Sequence, residues 1–109
     1  MFIQQIILNQ LGGRRFVLMT GSKNFLTADK TDTNEFPWLR MDLTRNISGS
    51  NKLKVSLLSD DTYRMEFYNQ KIDKKTFNTI ITKKQTFDGV YCDQLKEIFE
   101  TVTGLYTTL

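Results

Sequence analysis

"WLRMDLTRNISGSNKLKVSLLSDDTYRMEFY", residues 38–68, alternates apolar and polar side chains three times, with a polar turn after each of the first two runs. Leu39, Met41 and Leu43 alternate with Arg40, Asp42 and Thr44. Leu53, Val55 and Leu57 alternate with Lys52, Lys54 and Ser56, and Tyr63, Met65 and Phe67 with Arg64, Glu66 and Tyr68. Successive side chains of a strand point to opposite faces, so this period of two predicts strands with one buried and one wet face. Asn46 to Asn51 and Ser59 to Thr62 hold the residue types that turn a chain through their own side-chain bonds to the backbone. Three strands joined by short turns form an antiparallel meander, with Pro37 at the start of the first or on an edge, since it has no N–H to donate.

The flanks of this meander read differently. Phe2, Ile3, Ile6, Ile7 and Leu11 recur at helical spacing and predict an N-terminal amphipathic helix. Gly12 then stands where a helix end favours a left-handed residue, and Gly13 frees the exit. A phosphate-cradling loop would run into a helix N-terminus, whereas here a strand over Phe16 to Met19 is expected, so the glycines read as a turn. Thr20 to Asn24 closes that strand, and residues 27–37 read as a mobile loop. A last strand is expected from Thr76 to Phe87, with Phe77, Thr79 and Ile81 on one face. Leu95, Ile98, Phe99, Val102 and Leu105 or Tyr106 return to helical spacing, with Asp93 at the positive end of the dipole and Gly104 as the stop. The expected fold class is α+β: residues 1–109 form a single domain, an antiparallel sheet of about five strands with an N-terminal and a C-terminal helix packed on one face.

Composition limits the chemistry. The 109 residues, 39% apolar with 8 Phe and 4 Tyr, suffice for one core. A single Cys forbids an intramolecular disulfide and a Cys-based metal cage, and with no signal peptide in the sequence a cytoplasmic setting is expected. No apolar run reaches the roughly 20 residues that span a bilayer. His is absent, which removes the commonest general base and metal ligand. No cofactor, metal or enzymatic activity is expected. Asp60 and Asp61 with Glu66 have the oxygen chemistry of a magnesium site, but a Ser-Asp-Asp-Thr turn needs no metal. Cys92 lies near a helix start without a base and reads as packing or as incidental.

The net charge of +3 is unevenly spread. Met1 to Leu58 holds eight basic residues against four acidic, and Ser59 onward seven against eight. Arg14, Arg15 and Lys23 bracket the expected first strand, Arg40, Lys52 and Lys54 lie on the polar face of the meander, and Arg45 closes its first run. Such a face can follow a phosphate backbone, with Tyr68 on the same side to stack on a base. The alternative is that these charges only solvate an open sheet, since Asp42 and Glu66 share the face. Phe36 and Trp38 flank Pro37 beside a polar loop and are candidates for a protein contact, or for packing at a strand edge.

Three stretches, "LGGRRFVLMTGSKNF", "LSDDTYRMEFYN" and "FDGVYCDQLKEIFETVTGLYTTL", carry a resemblance that spans the chain except Thr27 to Trp38. The chain resembles a family of small uncharacterised proteins encoded by bacteriophages and integrated mobile elements. Its members share the Leu-Gly-Gly corner, Met-Thr-Gly-x-Lys-Asn, Asp-x-Tyr-x-Met-Glu-Phe and a helix ending Thr-Gly-Leu-Tyr-Thr-x-Leu. The resemblance implies such an origin, hence a bacterial host cell, and no mechanism. Relatives often look like Asn-Lys at Arg14-Arg15, which implies that one cation matters there. The expected function is a non-enzymatic accessory protein that binds nucleic acid through the basic sheet face. The alternative is a protein-binding module, such as an inhibitor of a host factor or an assembly component. No membrane partner is expected.

Overall fold

In the computed structural model, which describes residues 3–29, 31–32 and 35–107, the alternation over 38–68 forms the expected meander. Its strands are β2 (Trp38–Asp42), β3 (Lys52–Leu57) and β4 (Tyr63–Ile72). An edge strand flanks them on each side, β1 (Lys23–Ala28) and β5 (Thr79–Val90), and all five pair antiparallel in chain order. Register explains the two faces. Leu39, Val55 and Met65 stand in one row and Met41, Leu53 and Phe67 in the next, all buried.

Among the described residues three helices cover that apolar face: α1 (Ile3–Leu11), α2 (Gly13–Thr20) and α3 (Leu95–Thr103), the last preceded by a 3-10 turn, Cys92–Gln94. Ile7 and Leu11 of α1, Phe16 of α2, and Leu95 and Phe99 of α3 join the sheet residues in one core. Phe99 bridges the layers, 6.3 Å from the Phe67 ring. Gly104 adopts the left-handed conformation that ends α3, donating its N–H to the Glu100 carbonyl at 2.8 Å. The result is one α+β domain, a slab of 41 × 40 × 22 Å with helices on one side of the sheet.

Several expectations are corrected. Phe16 to Met19 is part of helix α2, not a strand. Phe16 and Thr20, four apart, are buried, Thr20 Oγ1 donates to the Phe16 carbonyl, and Leu18, expected on the Phe16 face, is 72% exposed. Four apolar residues are too few to separate helix from strand by period, and the caps decide. Gly21 takes a left-handed C-cap at φ 68°, while Gly12 begins α2 at φ 128°, ψ 1°, a region open to glycine alone. Gly12 is therefore not the left-handed cap of α1, and the glycine pair joins two helices instead of leading into a strand.

The first strand lies instead at β1, where a turn and the start of a loop were expected. β1 is an irregular edge strand, its register shifting between Lys23 and Leu26, and its residues stay largely exposed, so no two-residue alternation marks it. The loop expected at 27–37 begins after Ala28; Lys30, Thr33 and Asn34 within it lie outside the described residues, as does Phe2 of the N-terminal helix. The last strand starts at Thr79, not Thr76, and runs on to Val90. Leu105 packs against the core beyond the end of α3, and Tyr106 is exposed.

Candidate nucleic-acid interface

The face of the sheet away from the helices carries the polar half of each alternation, in rows set by the same register. Trp38, Ser56 and Arg64 form one row, Arg40, Lys54 and Glu66 the next, and Asp42, Lys52 and Tyr68 the third. Trp38 is half-buried, with two cations of the next row near its ring. The Arg40 guanidinium carbon is 5.7 Å from its ring centroid and the Lys54 ammonium 5.1 Å. An aromatic face attracts cations through its quadrupole, so both side chains are held at the ring while staying within reach of solvent.

The third row is more neutral. Asp42 forms an ion pair with Lys52 and accepts a hydrogen bond from Asn24 Nδ2 at 2.7 Å. Burial works to raise the Asp42 carboxyl, but the hydrogen bonds from Lys52 and Asn24 and the charges of Lys52 and Arg40 outweigh it and hold it below its ordinary value. Lys52 is thereby engaged. At the other end of the rows, Arg64 Nε donates to Asp88 at 2.6 Å, which raises the guanidinium's affinity for its proton, and Lys84 pairs with Glu66 at 3.2 Å.

The structure brings Arg40, Lys52, Lys54 and Trp38 together and separates the other candidates. Tyr68 belongs to this face by alternation but is only 7% exposed, so its ring is not open for stacking; the expectation of an outward-facing Tyr68 is corrected. Alternation fixes the direction of a side chain, while the neighbours in three dimensions decide whether it reaches water. Here Asn51 donates to the Tyr68 carbonyl and Asn69 to the Gly49 carbonyl, which closes the loop before β3 around this end of β4. Arg14 and Arg15 are exposed in the first turn of α2, on the helical layer, with the sheet between them and the Trp38 face. Lys23 is exposed at the start of β1, and Arg45 is exposed in the loop after β2. Phe36 parts from Trp38: it lines a hollow of about 320 Å³ with Ile3, Pro37, Leu57 and Leu58.

One cluster escaped the sequence reading. Lys71, Lys74, Lys75, Lys83 and Lys84 lie on the β4–β5 hairpin with Asp73 as the one acid in residues 71–84. Lysine density over this short stretch was the available signal. It was averaged away because the acids of the Ser59 turn and of α3 fall in the same half of the chain.

The Asp60 carboxylate serves its turn, accepting both the backbone N–H and the hydroxyl of Thr62. Among the described residues no group of three or more acidic or Cys side chains is placed to hold a metal ion, and no helix is long and apolar enough to cross a membrane. Comparison with known proteins finds no matching family model, curated protein or solved structure.

Proposed function

We propose that this chain is a non-enzymatic accessory protein of a bacteriophage or mobile element that binds single-stranded nucleic acid across the outer face of its sheet, in the cytoplasm of a bacterial host. The observation that supports this most is the pair of cations, Arg40 and Lys54, within cation–π distance of the Trp38 ring. A single strand offers unstacked bases beside closely spaced phosphates. A base laid on the indole gains roughly 1–3 kcal/mol whatever its identity, and the two cations can turn from the ring to the flanking phosphates. Lys52 and Lys84 already face Asp42 and Glu66, so Arg40 and Lys54 are the principal phosphate contacts.

That count gives a measurable salt response. Two phosphate contacts on a single strand correspond to a slope of log affinity against log salt of about −1.4. Titration of labelled single-stranded DNA and RNA should show this modest slope. Trp38→Ala should weaken binding by a factor of about 5 to 150 with the slope unchanged, and Arg40→Ala with Lys54→Ala should flatten the slope. Absence of any binding at about 50 mM salt, where a phosphate contact is strongly expressed, would overturn the proposal.

A further inference from the structure

β3 pairs with β4 only as far as Tyr68, whereas β4 and β5 continue pairing to Ile72 and Thr79. The Asn51 side-chain amide braces the Gln70 backbone, its Nδ2 donating to the Gln70 carbonyl and its Oδ1 accepting from the Gln70 N–H, so the hairpin projects beyond the sheet from Lys71 onward. Its loop is closed and well bonded: Asp73 N–H donates to the Asn78 carbonyl at 2.9 Å, Phe77 N–H to the Asp73 carbonyl at 2.7 Å and Lys75 N–H to Asp73 Oδ1 at 2.9 Å. At this tip Phe77 is 80% exposed and held at φ 59°, a left-handed conformation that disfavours any residue with a β-carbon and suits glycine or asparagine. Such strain in an exposed aromatic, fixed by its own loop, is characteristic of functional sites.

Lys71, Lys74 and Lys75 share this end of the hairpin with it, three exposed cations against the single carboxylate of Asp73, and among the described residues none of the three forms an ion pair. We infer that the hairpin tip is a wedge for double-stranded nucleic acid, Phe77 entering the minor groove against a base step while the three lysines meet the phosphates on its two sides. Apolar side chains inserted in this way unstack a step and kink the duplex, and the lost stacking is offset by contacts the bend permits. An anionic membrane is the other surface that takes lysines with an aromatic. There the ring must go deeper than the cations, and Lys74 and Lys75 share the six-residue loop with Phe77, so inserting the ring would draw two ammonium groups toward the acyl chains. A groove walled by phosphates places cations and wedge at one depth.

This inference extends the nucleic-acid reading of the sheet face and rests on it for the polymer, but its test is separate. The full chain is titrated against a blunt DNA duplex, a single-stranded oligothymidine and vesicles of phosphatidylserine and phosphatidylcholine, with the duplex labelled at both ends to report bending by energy transfer. Expected are duplex binding with bending, a loss of about tenfold in duplex affinity together with the bend in Phe77→Ala, and a salt slope lower by about two to three in the triple Lys71→Ala, Lys74→Ala, Lys75→Ala variant. Oligothymidine binding should depend on Trp38 and not on Phe77. Duplex binding that Phe77→Ala leaves intact overturns the wedge while the sheet-face reading stands. Vesicle binding lost in Phe77→Ala, without duplex binding, overturns it in favour of a membrane. Duplex binding that needs Phe77 without any oligothymidine binding upholds the wedge and removes the sheet face. The tip makes no core contact, so melting temperature should stay the same in all variants and any loss reads as lost contact.

Discussion

The Phe16 ring stands edge-on to the Phe99 ring, centroids 4.9 Å apart and planes at 70°, and this contact closes α2 on α3. Both rings are fully buried, and Phe99 also reaches Phe67 in the sheet, so one side chain ties two helices to the second layer. Phe99→Ala is expected to cost about 3–5 kcal/mol, a large part of the stability of a domain this size. In a double-mutant cycle with Phe16→Ala the two losses should fall short of additive by about 0.5–1.5 kcal/mol, the usual coupling of an edge-to-face pair. Chemical denaturation measures both, and a loss below about 1 kcal/mol for Phe99→Ala would show α3 to be peripheral.

Gly12 and Gly13 are adjacent and should respond differently to asparagine. Gly13 lies at φ 60°, where asparagine is at home, and a β-carbon there would meet only Asn9 Oδ1 at 3.7 Å. Gly12 lies at φ 128°, outside the left-handed well, and its β-carbon would stand 3.1 Å from the Cβ of the buried Phe16. Gly13→Asn should therefore be tolerated within about 0.5 kcal/mol, and Gly12→Asn should destabilise by about 1–3 kcal/mol, nearly as much as Gly12→Val. Equal, mild effects at both positions in thermal melts would contradict the observed backbone.

Asp42 should leave a signature in acid. Its folded carboxyl is held below the ordinary 3.8, so the ionised form is favoured by folding. The stability this contributes is present above the unfolded value and is lost as pH falls through the lower folded one, a window below about pH 4. Other carboxylates also titrate there, so the measured quantity is the difference between the native chain and Asp42→Asn, whose melting temperature should fall less steeply over that window. At neutral pH the same variant releases Lys52, and oligonucleotide binding should strengthen with a salt slope steeper by about 0.7.

The three central strands were legible because each has one dry and one wet face, which writes the period of two into the residues themselves. α3 was legible for the same reason at the helical period. β1 was not, since an edge strand exposed on most of its length imposes no alternation, and α2 was not, since its start depends on the conformation of Gly12 and its end on Gly21. In the candidate interface, Arg40 and Lys54 follow from alternation, whereas their meeting over Trp38 follows from the pairing of Trp38 with Ser56 and Arg40 with Lys54, which no single strand encodes. Tyr68 shows the converse: its direction was legible and its burial was not. Phe77 was read as the apolar face of a strand because nothing local announces that a phenylalanine will take a left-handed turn.

Arg14 and Arg15 give the sharpest separation between the sequence pattern and the placement in space. As strand residues they would alternate, and only one would face outward. As first-turn residues of α2 both are exposed, on the layer that the sheet divides from Trp38, Arg40 and Lys54. The Debye length in about 0.15 M salt is about 8 Å, shorter than the distance through a slab 22 Å thick, so their charge is screened from a strand bound on the far face. Arg14→Ala with Arg15→Ala should leave oligothymidine affinity within about twofold and its salt slope unchanged at that ionic strength, whereas Arg40→Ala with Lys54→Ala lowers both. Stability should shift by less than about 0.5 kcal/mol, because exposed arginines outside ion-pair networks contribute little to folding. A loss of binding in the Arg14 and Arg15 variant with none in the Arg40 and Lys54 variant would place the nucleic acid on the helical layer and remove the sheet face from the proposal.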